Sequence, residues 1–384
     1  MDPIIIVGTG LAGYGTAREF RKHDKDTPLV LITRDDGASY YKPDLSEAHG
    51  KQSEPDELVK KDVEAMAEEL NATIHAHRQV ESINPAAREL SLNGETFKYH
   101  KLVLAFGADP IVLNLGGDAL QEIHKVNNLA DYRSFRSHLG NVKHVGIFGA
   151  GLIGCEFAND LVSAGYDVSV FDPAGWPLSQ LLPEECGRAV ERELAKAGVK
   201  WHLGHAAVAL HHANDQLQIV RDDDDSVYVD AVLSAVGLRA GIELAEAAGL
   251  KTDKGILVDR TLVTSDPHIY ALGDCAEVDG HWRPYVGPLM QCARTLGKTL
   301  AGDDGDPPGE VKYPTLPIIV KTHVCPVIVY PPVESGGEWQ VEGDAPNLEA
   351  RCVNAEGELI GFALIGEATS KRRDYLKEAP ALMG

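Results

Sequence analysis

The stretch that decides the fold is IIIVGTGLAGYGTAREFRKH, residues 4–23. It begins with the β-branched run Ile4–Val7, continues through the glycine-rich turn Gly8–Gly13, and ends in a helical pattern that reaches His23. A second apolar run, Leu29–Ile32, follows after a short polar loop. Strand, helix and strand in this order predict a βαβ unit with parallel strands.

The glycines of this turn have the spacing G-x-G-x-x-G, and each position has a physical reason. Gly8 allows the tight turn, Gly10 lets backbone N–H groups approach a pyrophosphate, and Gly13 allows the helix to pack close to the strand. The same pattern recurs later, again between an apolar strand and a helix, at Gly149, Gly151 and Gly154. Two copies with the same flanks predict two dinucleotide-binding domains.

The residue that ends the second strand of each unit indicates which dinucleotide is bound. In the second unit it is Asp172, whose carboxylate can accept hydrogen bonds from the ribose hydroxyls of NAD. No Lys or Arg lies in residues 169–187 to hold a 2′-phosphate, so NADH is favoured over NADPH. In the first unit Thr33 or Asp35 can serve a ribose, and Arg34 can lie against an adenine or simply be a surface residue.

Composition and charge exclude several functions for this chain of 384 residues. Acidic residues outnumber basic ones by 58 to 36, and a net charge of −22 repels nucleic-acid phosphates, so no nucleic-acid partner is expected. The six cysteines lie far apart without a C-x-x-C pair, which favours a reducing, cytoplasmic compartment. Without a basic leader or an apolar run of membrane length, no stable membrane insertion is expected. His75 and His77 lack a third ligand, so no metal site is predicted.

Motifs along nearly the whole chain resemble one family of enzymes. Besides the two fingerprints, they are SYYKPDLS at residues 39–46, KLVLAFGADP at 101–110, AVLSAVGLR at 231–239, IYALGDCAEVDG at 269–280, YVGPLMQCARTLGKTLAG at 285–302 and the Lys321-Thr322-x-x-Cys325-Pro326 stretch. Together they are similar to the two-dinucleotide flavoprotein reductases and, within them, to the rubredoxin–NAD reductases. The K-P-D-L-S and G-P-L-M-Q-C-A-R motifs carry the narrower resemblance.

The repeated pattern and the resemblance imply an α/β fold with three domains. Two of them are Rossmann-like dinucleotide-binding domains, one for FAD and one for NAD, and the third is a small α+β C-terminal domain. The FAD-binding domain is expected to be discontinuous, over residues 1–112 and 243–328, with the NAD-binding domain inserted at 113–242. The C-terminal domain is expected at residues 329–384.

The resemblance also implies the residues of the active site. Lys42 is expected beside the N5 edge of the flavin, with Glu156 as its carboxylate partner near the nicotinamide, and both are the expected catalytic residues. Asp274 is expected to hydrogen-bond the ribityl or phosphate part of FAD. The full set expected to bind FAD or NADH is Gly8, Gly10, Leu11, Ala12, Gly13, Thr33, Arg34, Lys42, Gly107, Gly149, Gly151, Ile153, Gly154, Glu156, Asp172, Gly237, Asp274, Val286 and Lys321.

The cysteine pattern narrows the reaction. Disulfide reductases of this fold carry early redox cysteines, whereas this sequence has none before Cys155, so thioredoxin-type and glutathione-type chemistry are excluded. The resemblance implies hydride transfer from NADH to FAD, followed by single-electron transfer from the flavin to rubredoxin, an iron-protein partner. An NADH-dependent ferredoxin reductase of an oxygenase system is the alternative. The candidates expected to attract an acidic rubredoxin to the flavin edge are Lys42, Arg294, Lys298 and Lys321.

Overall fold

The strands are described by a computed structural model that covers residues 2–303 and 305–384. In chain order they are β1 Ile4–Val7, β2 Leu29–Ile32, β3 Ser39–Tyr40, β4 Val59–Lys61, β5 Thr73–His75, β6 Val80–Asn84, β7 Glu89–Leu92, β8 Glu95–Lys98, β9 Lys101–Leu104, β10 Ala108–Pro110, β11 Ile123–Lys125, β12 His144–Phe148, β13 Asp167–Asp172, β14 Val199–Leu203, β15 Ala207–Ala213, β16 Gln216–Arg221, β17 Ser226–Val229, β18 Ala231–Ser234, β19 Leu238–Ala240, β20 Ile256–Val258, β21 Ile269–Ala271, β22 Ala276–Val278, β23 Ile318–Val320, β24 Val327–Tyr330, β25 Glu338–Asp344, β26 Asn347–Val353 and β27 Leu359–Ile365.

The helices alternate with these strands. They are α1 Leu11–His23, α2 Val63–Leu70, α3 Leu129–His138, α4 Leu152–Ser163, α5 Glu184–Ala197, α6 Glu243–Ala247, α7 Val286–Leu300 and α8 Arg372–Glu378. Short 3₁₀ turns occur at Lys42–Ser46, Pro55–Leu58, Leu120–Glu122, Leu139–Asn141, Gly273–Cys275 and Gly366–Lys371.

The first sheet is parallel and has the strand order β21-β9-β1-β2-β5. All four residues of β1 are buried, as expected for a central strand covered on both faces. The late strand β21 pairs with β9, so the chain returns to this sheet after the strands of the second sheet.

The second sheet repeats the first. Its order is β11-β18-β12-β13-β14, again parallel throughout. In both sheets the central strand leads through a glycine turn into a helix, and the next strand of the chain pairs beside it. The predicted pair of Rossmann-like domains is confirmed.

The crossing between the two halves is a short antiparallel pair. β10, where the chain leaves the first half, pairs with β19, where the chain returns, and Ala108 lies opposite Ala240. Each half also carries a three-stranded antiparallel meander, β6-β7-β8 and β15-β16-β17. The acidic run 222–225 forms the turn between the antiparallel strands β16 and β17.

The C-terminal region is an antiparallel sheet of order β23-β24-β27-β26-β25 with α8 packed beside it. Its first strand starts at Ile318, ahead of the boundary expected at residue 329. The pairing of β24 with β27 is the reason: β23 and β24 complete this sheet and join neither parallel sheet. The other domain boundaries remain predictions.

The hydrophobic cores show how the domains are held together. Helix α1 packs on α7 over the first sheet, with Phe20 and Leu296 buried in the same cluster. A second cluster joins the second sheet to the C-terminal sheet, since Ile147 of β12 and Val329 of β24 belong to it. After β23, Val324 N donates to Asn159 Oδ1 of helix α4 at 3.1 Å, so this segment lies against that helix.

Candidate functional site

A cleft of about 330 Å³ opens at the carboxyl ends of the strands in the first sheet. The turn after β1 forms one wall, and the loops after β2 and β9 form others. Of the residues expected to bind FAD, those that line the cleft are Gly8, Gly10, Leu11, Ala12, Thr33, Arg34, Lys42, Gly107 and Asp274. We call this the first cleft.

The three glycines of the first fingerprint have different steric surroundings. Gly8 has φ +115°, and a Cβ there would lie 2.3 Å from Ala105 O. A Cβ on Gly13 would lie 1.9 Å from Gly8 O, so no side chain fits between helix and turn. A Cβ on Gly10 would meet nothing within 4 Å, because Gly10 faces the open cleft. This open backbone surface fits the approach of a pyrophosphate to the N-terminus of α1.

The second fingerprint has the same geometry. Gly149 has φ +101°, and its Cβ would lie 2.5 Å from Ala235 O. A Cβ on Gly154 would lie 1.9 Å from Gly149 O, whereas one on Gly151 would meet nothing within 4 Å. Each fingerprint thus combines two sterically closed glycines with one open glycine, which fits a second dinucleotide at the N-terminus of α4.

The loop after β2 carries the residues expected at the adenosine end. Thr33 is buried and its hydroxyl hydrogen-bonds the Asp35 carboxylate. Arg34 Nη2 lies 2.7 Å from Asp109 Oδ1, and both side chains are more than half exposed. Arg34 therefore lies in the wall of the first cleft, where it is paired with Asp109 of β10.

Lys42 and Asp274 approach the first cleft from different parts of the chain. Lys42 opens the 3₁₀ turn Lys42–Ser46, and Asp274 lies in the turn after β21. Burial lowers the pKa of the Lys42 ammonium, against the opposing effect of Asp274 and other carboxylates. Burial likewise raises the pKa of Asp274, against the effect of the Lys42 charge. The two opposite charges partly stabilise each other in a poorly solvated place.

The expected partnership of Lys42 with Glu156 is wrong. Glu156 is 1% exposed, and its Oε2 lies 2.9 Å from Lys321 Nζ. The Glu156 carboxylate also accepts hydrogen bonds from the backbone N–H of Lys321 at 3.0 Å and from the hydroxyl of Ser46 at 2.5 Å. Lys42 instead donates to Asn127 Oδ1 at 2.8 Å. The packing of the C-terminal sheet against α4 brings Lys321, not Lys42, to Glu156.

This ion pair bears on the expectation that Lys321 attracts an acidic rubredoxin. Its side chain is 20% exposed, and its ammonium also donates to Ser46 Oγ at 2.7 Å and to the carbonyl of Pro43. Lys321 is thus an internal cross-link between segments. Arg294 and Lys298 are exposed on α7 and do not line the first cleft.

Asp172 lies at the carboxyl end of β13, as predicted, and already has backbone partners. Its Oδ2 accepts from Ala150 N at 2.7 Å and its Oδ1 accepts from Ala174 N at 2.8 Å. The Asp172 carboxylate therefore stabilises the turn of the second fingerprint, and it lies at the carboxyl end of the strands of the second sheet. The fold also brings Arg188 to Gly175 of the following loop, but Arg188 is paired with Glu184 and Glu191.

Three further expected residues are not among those that line the first cleft. Ile153 is 41% exposed on the first turn of α4, and Gly237 has φ +116° in the turn that leads into β19. Val286 is the first residue of α7, but Leu289, one turn later, is the α7 residue that lines the first cleft. Ile153 is thus an exposed apolar residue beside the open glycine of the second fingerprint, and such a residue is a suitable surface for a flat ring.

Several residues that line the first cleft were missed by sequence reasoning. They are Tyr40, Arg78, Gln79, Val80, Phe106, Ala108, Asp109, Asn127, Asn128, Gly241, Glu243, Leu244 and Leu289. Gln79 and Val80 follow β5, whose carboxyl end lies at the same sheet edge as the fingerprint, so strand order alone could have indicated them. Strand order does not indicate Asn127, because this residue precedes α3, which belongs to the half of the molecule that contains the second fingerprint.

A cluster of possible metal ligands lies away from both fingerprints. His205, Asp222 and Asp223 have ligand atoms within 4.8 Å of one another. Arg221 Nη2 lies 2.8 Å from Asp223 Oδ2, and His205 Nδ1 lies 2.9 Å from Asp222 Oδ1. These contacts account for the cluster as a surface ion-pair network at the β16–β17 turn.

Comparison with known proteins identifies the family. Residues 2–295 match the family model described as pyridine nucleotide-disulphide oxidoreductase. The chain belongs to this family. Residues 310–379 match a second model, described as rubredoxin binding C-terminal domain, and this match spans the C-terminal sheet.

The chain is similar over nearly its full length to two relatives named as reductases. It is 48% identical to the rubredoxin-NAD(+) reductase of Alcanivorax borkumensis, with 100% of both chains covered. It is 42% identical to the rubredoxin-NAD(+) reductase of Acinetobacter baylyi, over 97% of this chain and 96% of that one. Among solved structures, a ferredoxin reductase from Rhodopseudomonas palustris has a TM-score of 0.88 at 27% identity, covering 99% of this chain and 96% of that one.

Within residues 2–303 and 305–384, no helix is both long enough and apolar enough to span a bilayer.

Proposed function

We propose that this chain is an NADH-dependent flavoprotein reductase that passes electrons to rubredoxin. The observation that carries the proposal is the combination of two dinucleotide fingerprints with a C-terminal sheet that matches the rubredoxin-binding model. The full-length similarity to two rubredoxin-NAD(+) reductases supports the same acceptor. The match to a ferredoxin reductase is at lower identity, so ferredoxin is the second candidate acceptor.

We assign FAD to the first cleft. Gly10 at the N-terminus of α1 would face the pyrophosphate, because its open surface leaves room for the phosphate oxygens. Thr33 and Arg34 would lie at the adenosine end and Asp274 at the ribityl end, since they line the cleft after β2 and after β21, which lie on opposite sides of β1. Gly8, Leu11, Ala12, Gly13, Gly107 and Val286 shape its walls or hold the elements that do.

We assign NADH to the second fingerprint, Gly149, Gly151 and Gly154. The adenosine ribose would approach Asp172, whose carboxylate repels a 2′-phosphate. Ile153 and Gly237 would border the nicotinamide, and Glu156, buried one turn further along α4, would support that end of the site through Lys321.

The residues of the chain bind and orient, while the redox chemistry belongs to the cofactors. When bound, FAD accepts a hydride equivalent from NADH and gives up single electrons to the iron protein. Lys42 places a positive charge in the wall of the first cleft, where it would stabilise negative charge on a reduced group. Burial lowers the pKa of Lys42, and the Asp274 carboxylate opposes that lowering.

The cysteines support an exit of electrons from the flavin itself. All six are buried, and none precedes Cys155 in the sequence. The Cys155 thiol lies in α4 within reach of Ala150 O, and burial raises its pKa above its usual value. A buried thiol of high pKa is a poor nucleophile, so a disulfide relay is not part of this proposal.

The proposal is tested by purifying the protein and measuring its flavin content and its NADH oxidation with two acceptors in parallel. We expect about one FAD per chain and faster turnover with rubredoxin than with ferredoxin. Faster turnover with ferredoxin would favour the second candidate, and a colourless protein without NADH oxidation would contradict the reductase assignment.

A further inference from the structure

Asn127 makes a contact that links the two halves of the molecule at the first cleft. Its Oδ1 accepts a hydrogen bond from the Lys42 ammonium at 2.8 Å, and its Nδ2 donates to Ala108 O at 2.9 Å. The three residues line the cleft together with Asp274. Asn127 thus connects the basic wall of the cleft to the antiparallel crossing strand β10.

The hydrogen bonds determine which way the Asn127 amide points. The carbonyl of Ala108 can only accept, so the NH₂ group of the amide must face it. The amide oxygen is then directed at Lys42, whose ammonium can only donate. Exchange of the two amide atoms would break both hydrogen bonds, so this side chain has one satisfied orientation.

The backbone around Asn127 is held as well. Its N–H donates to Asp131 Oδ2 at 2.9 Å, and Asn128 Oδ1 accepts from Asp131 N at 2.8 Å as the N-cap of α3. The next N–H, that of Leu129, donates to the hydroxyl of Tyr40 at 3.1 Å. A side chain on such a fixed turn can define the position of its partner.

The contact between Lys42 and Asn127 differs in charge from the contact between Lys321 and Glu156. Lys321 makes direct contact with the carboxylate of Glu156, which neutralises it. Lys42 makes its direct contact with a neutral amide, while Asp274 acts on it without a hydrogen bond between them in the described part of the chain. The charge of Lys42 therefore remains available to a group bound in the cleft.

We propose that Asn127 is a positioning residue, which holds the Lys42 ammonium in the wall of the first cleft without neutralising its charge and so favours the reduced form of the bound flavin. This inference rests on the assignment of FAD to the first cleft. It gives a residue of the NAD-side half a role in setting the flavin reduction potential.

The first test is the midpoint potential of the flavin in the holoenzyme, measured for the wild type, Asn127→Ala, Lys42→Met and the double variant. We expect each single variant to have a more negative potential than the wild type, because the reduced flavin loses a positioned positive charge. In the Lys42→Met background, Asn127→Ala should produce no further shift. An equal shift with and without Lys42, or no shift in either background, would overturn the proposal.

The second test uses a change of charge with little change of shape. Asn127→Asp puts a carboxylate against Lys42, and we expect a more negative midpoint potential than in the wild type. Asn128→Asp is the matched control, because it adds the same charge one residue along and retains an N-cap acceptor for α3. Equal shifts in the two variants would contradict a role that depends on contact with Lys42. This pair also keeps the proposal testable if Asn127→Ala does not fold.

Different results would contradict the proposed function and the positioning role of Asn127. If the purified protein binds no flavin, or its flavin is not reduced by NADH, the proposed function fails and the potentials have no meaning. If flavin binds and NADH reduces it, but the Asn127 variants keep the wild-type potential, only the positioning role is contradicted.

Discussion

Lys321 Nζ lies 2.9 Å from Glu156 Oε2, and this ion pair joins the segment after β23 to helix α4. The same helix begins at the second fingerprint, so one rigid element connects the expected nucleotide site to the C-terminal region. Asn159, on the same face of the helix, accepts a hydrogen bond from Val324 N at 3.1 Å. Glu156 and Asn159 are both buried, so α4 makes buried polar contacts with the segment that follows β23.

Removal of the Glu156 charge should destabilise the protein. Glu156→Gln leaves the Lys321 ammonium without its carboxylate in a mostly buried place, and we expect a loss of about 2 kcal/mol in the free energy of unfolding. Urea-induced unfolding of the apoprotein measures it. The double variant Glu156→Gln/Lys321→Met should recover part of the loss, because no charge is then left unpaired. A single variant as stable as the wild type would show that the pair does not hold this junction.

Asp160, one turn after Glu156, should make stability depend on pH. Burial raises its pKa from 3.8 to about 7, and the nearby Glu47 adds to the rise, while the N–H of Gly50, Lys321 and Arg136 oppose it. Between these pH values the folded state holds a proton that the unfolded state has lost. The Asp160 contribution to stability therefore falls as pH rises through this window, by up to about 1.4 kcal/mol per pH unit.

The variant Asp160→Asn isolates this effect. Asp160 accepts from His49 N through Oδ2 at 3.1 Å and from Gly50 N through Oδ1 at 2.8 Å, and the amide oxygen of the variant can keep one of these two hydrogen bonds. We expect the unfolding free energy of the variant, relative to the wild type, to increase as pH rises from about 4 to about 7. Parallel pH profiles of the two proteins would rule out this titration.

Valine substitutions at Gly10 and Gly13 of the first fingerprint should have different effects on flavin binding and on stability. Gly10→Val places a side chain in the open cleft without a steric clash in the protein, so we expect lower flavin content with little change in apoprotein stability. Gly13→Val forces a Cβ against Gly8 O, so it should lower both the flavin content and the stability of the apoprotein. Flavin absorbance and thermal unfolding of the apoprotein measure the two effects. Full flavin occupancy in the Gly10 variant would contradict the assignment of this turn.

Asp172 should favour NADH over NADPH. We expect Asp172→Asn to raise the KM for NADH several-fold and to narrow the preference, because the amide neither holds both ribose hydroxyls nor repels a 2′-phosphate. The amide oxygen can keep one of the two backbone hydrogen bonds, so the turn is retained better than in an alanine variant. Steady-state kinetics with both nucleotides provide the test, and equal efficiency with both in the wild type would refute the assignment.

The features predicted correctly from the sequence are those whose cause is local. The runs at β1 and β12 and their glycine turns predict two parallel sheets because sterics and hydrophobicity act within a few residues. The partner of Glu156 could not be predicted, since Lys321 is 165 residues away and arrives through packing of a separate sheet. Asn127 was missed for the same reason: its amide acts on Lys42, 85 residues earlier, across a domain boundary.

The most direct test of the account is a stopped-flow measurement without oxygen, in which the NADH-reduced holoenzyme is mixed with oxidised rubredoxin. We predict that rubredoxin is reduced in step with reoxidation of the flavin, at a rate that accounts for steady-state turnover. A flavin that is rapidly reduced by NADH but gives no electrons to rubredoxin would contradict the proposed function.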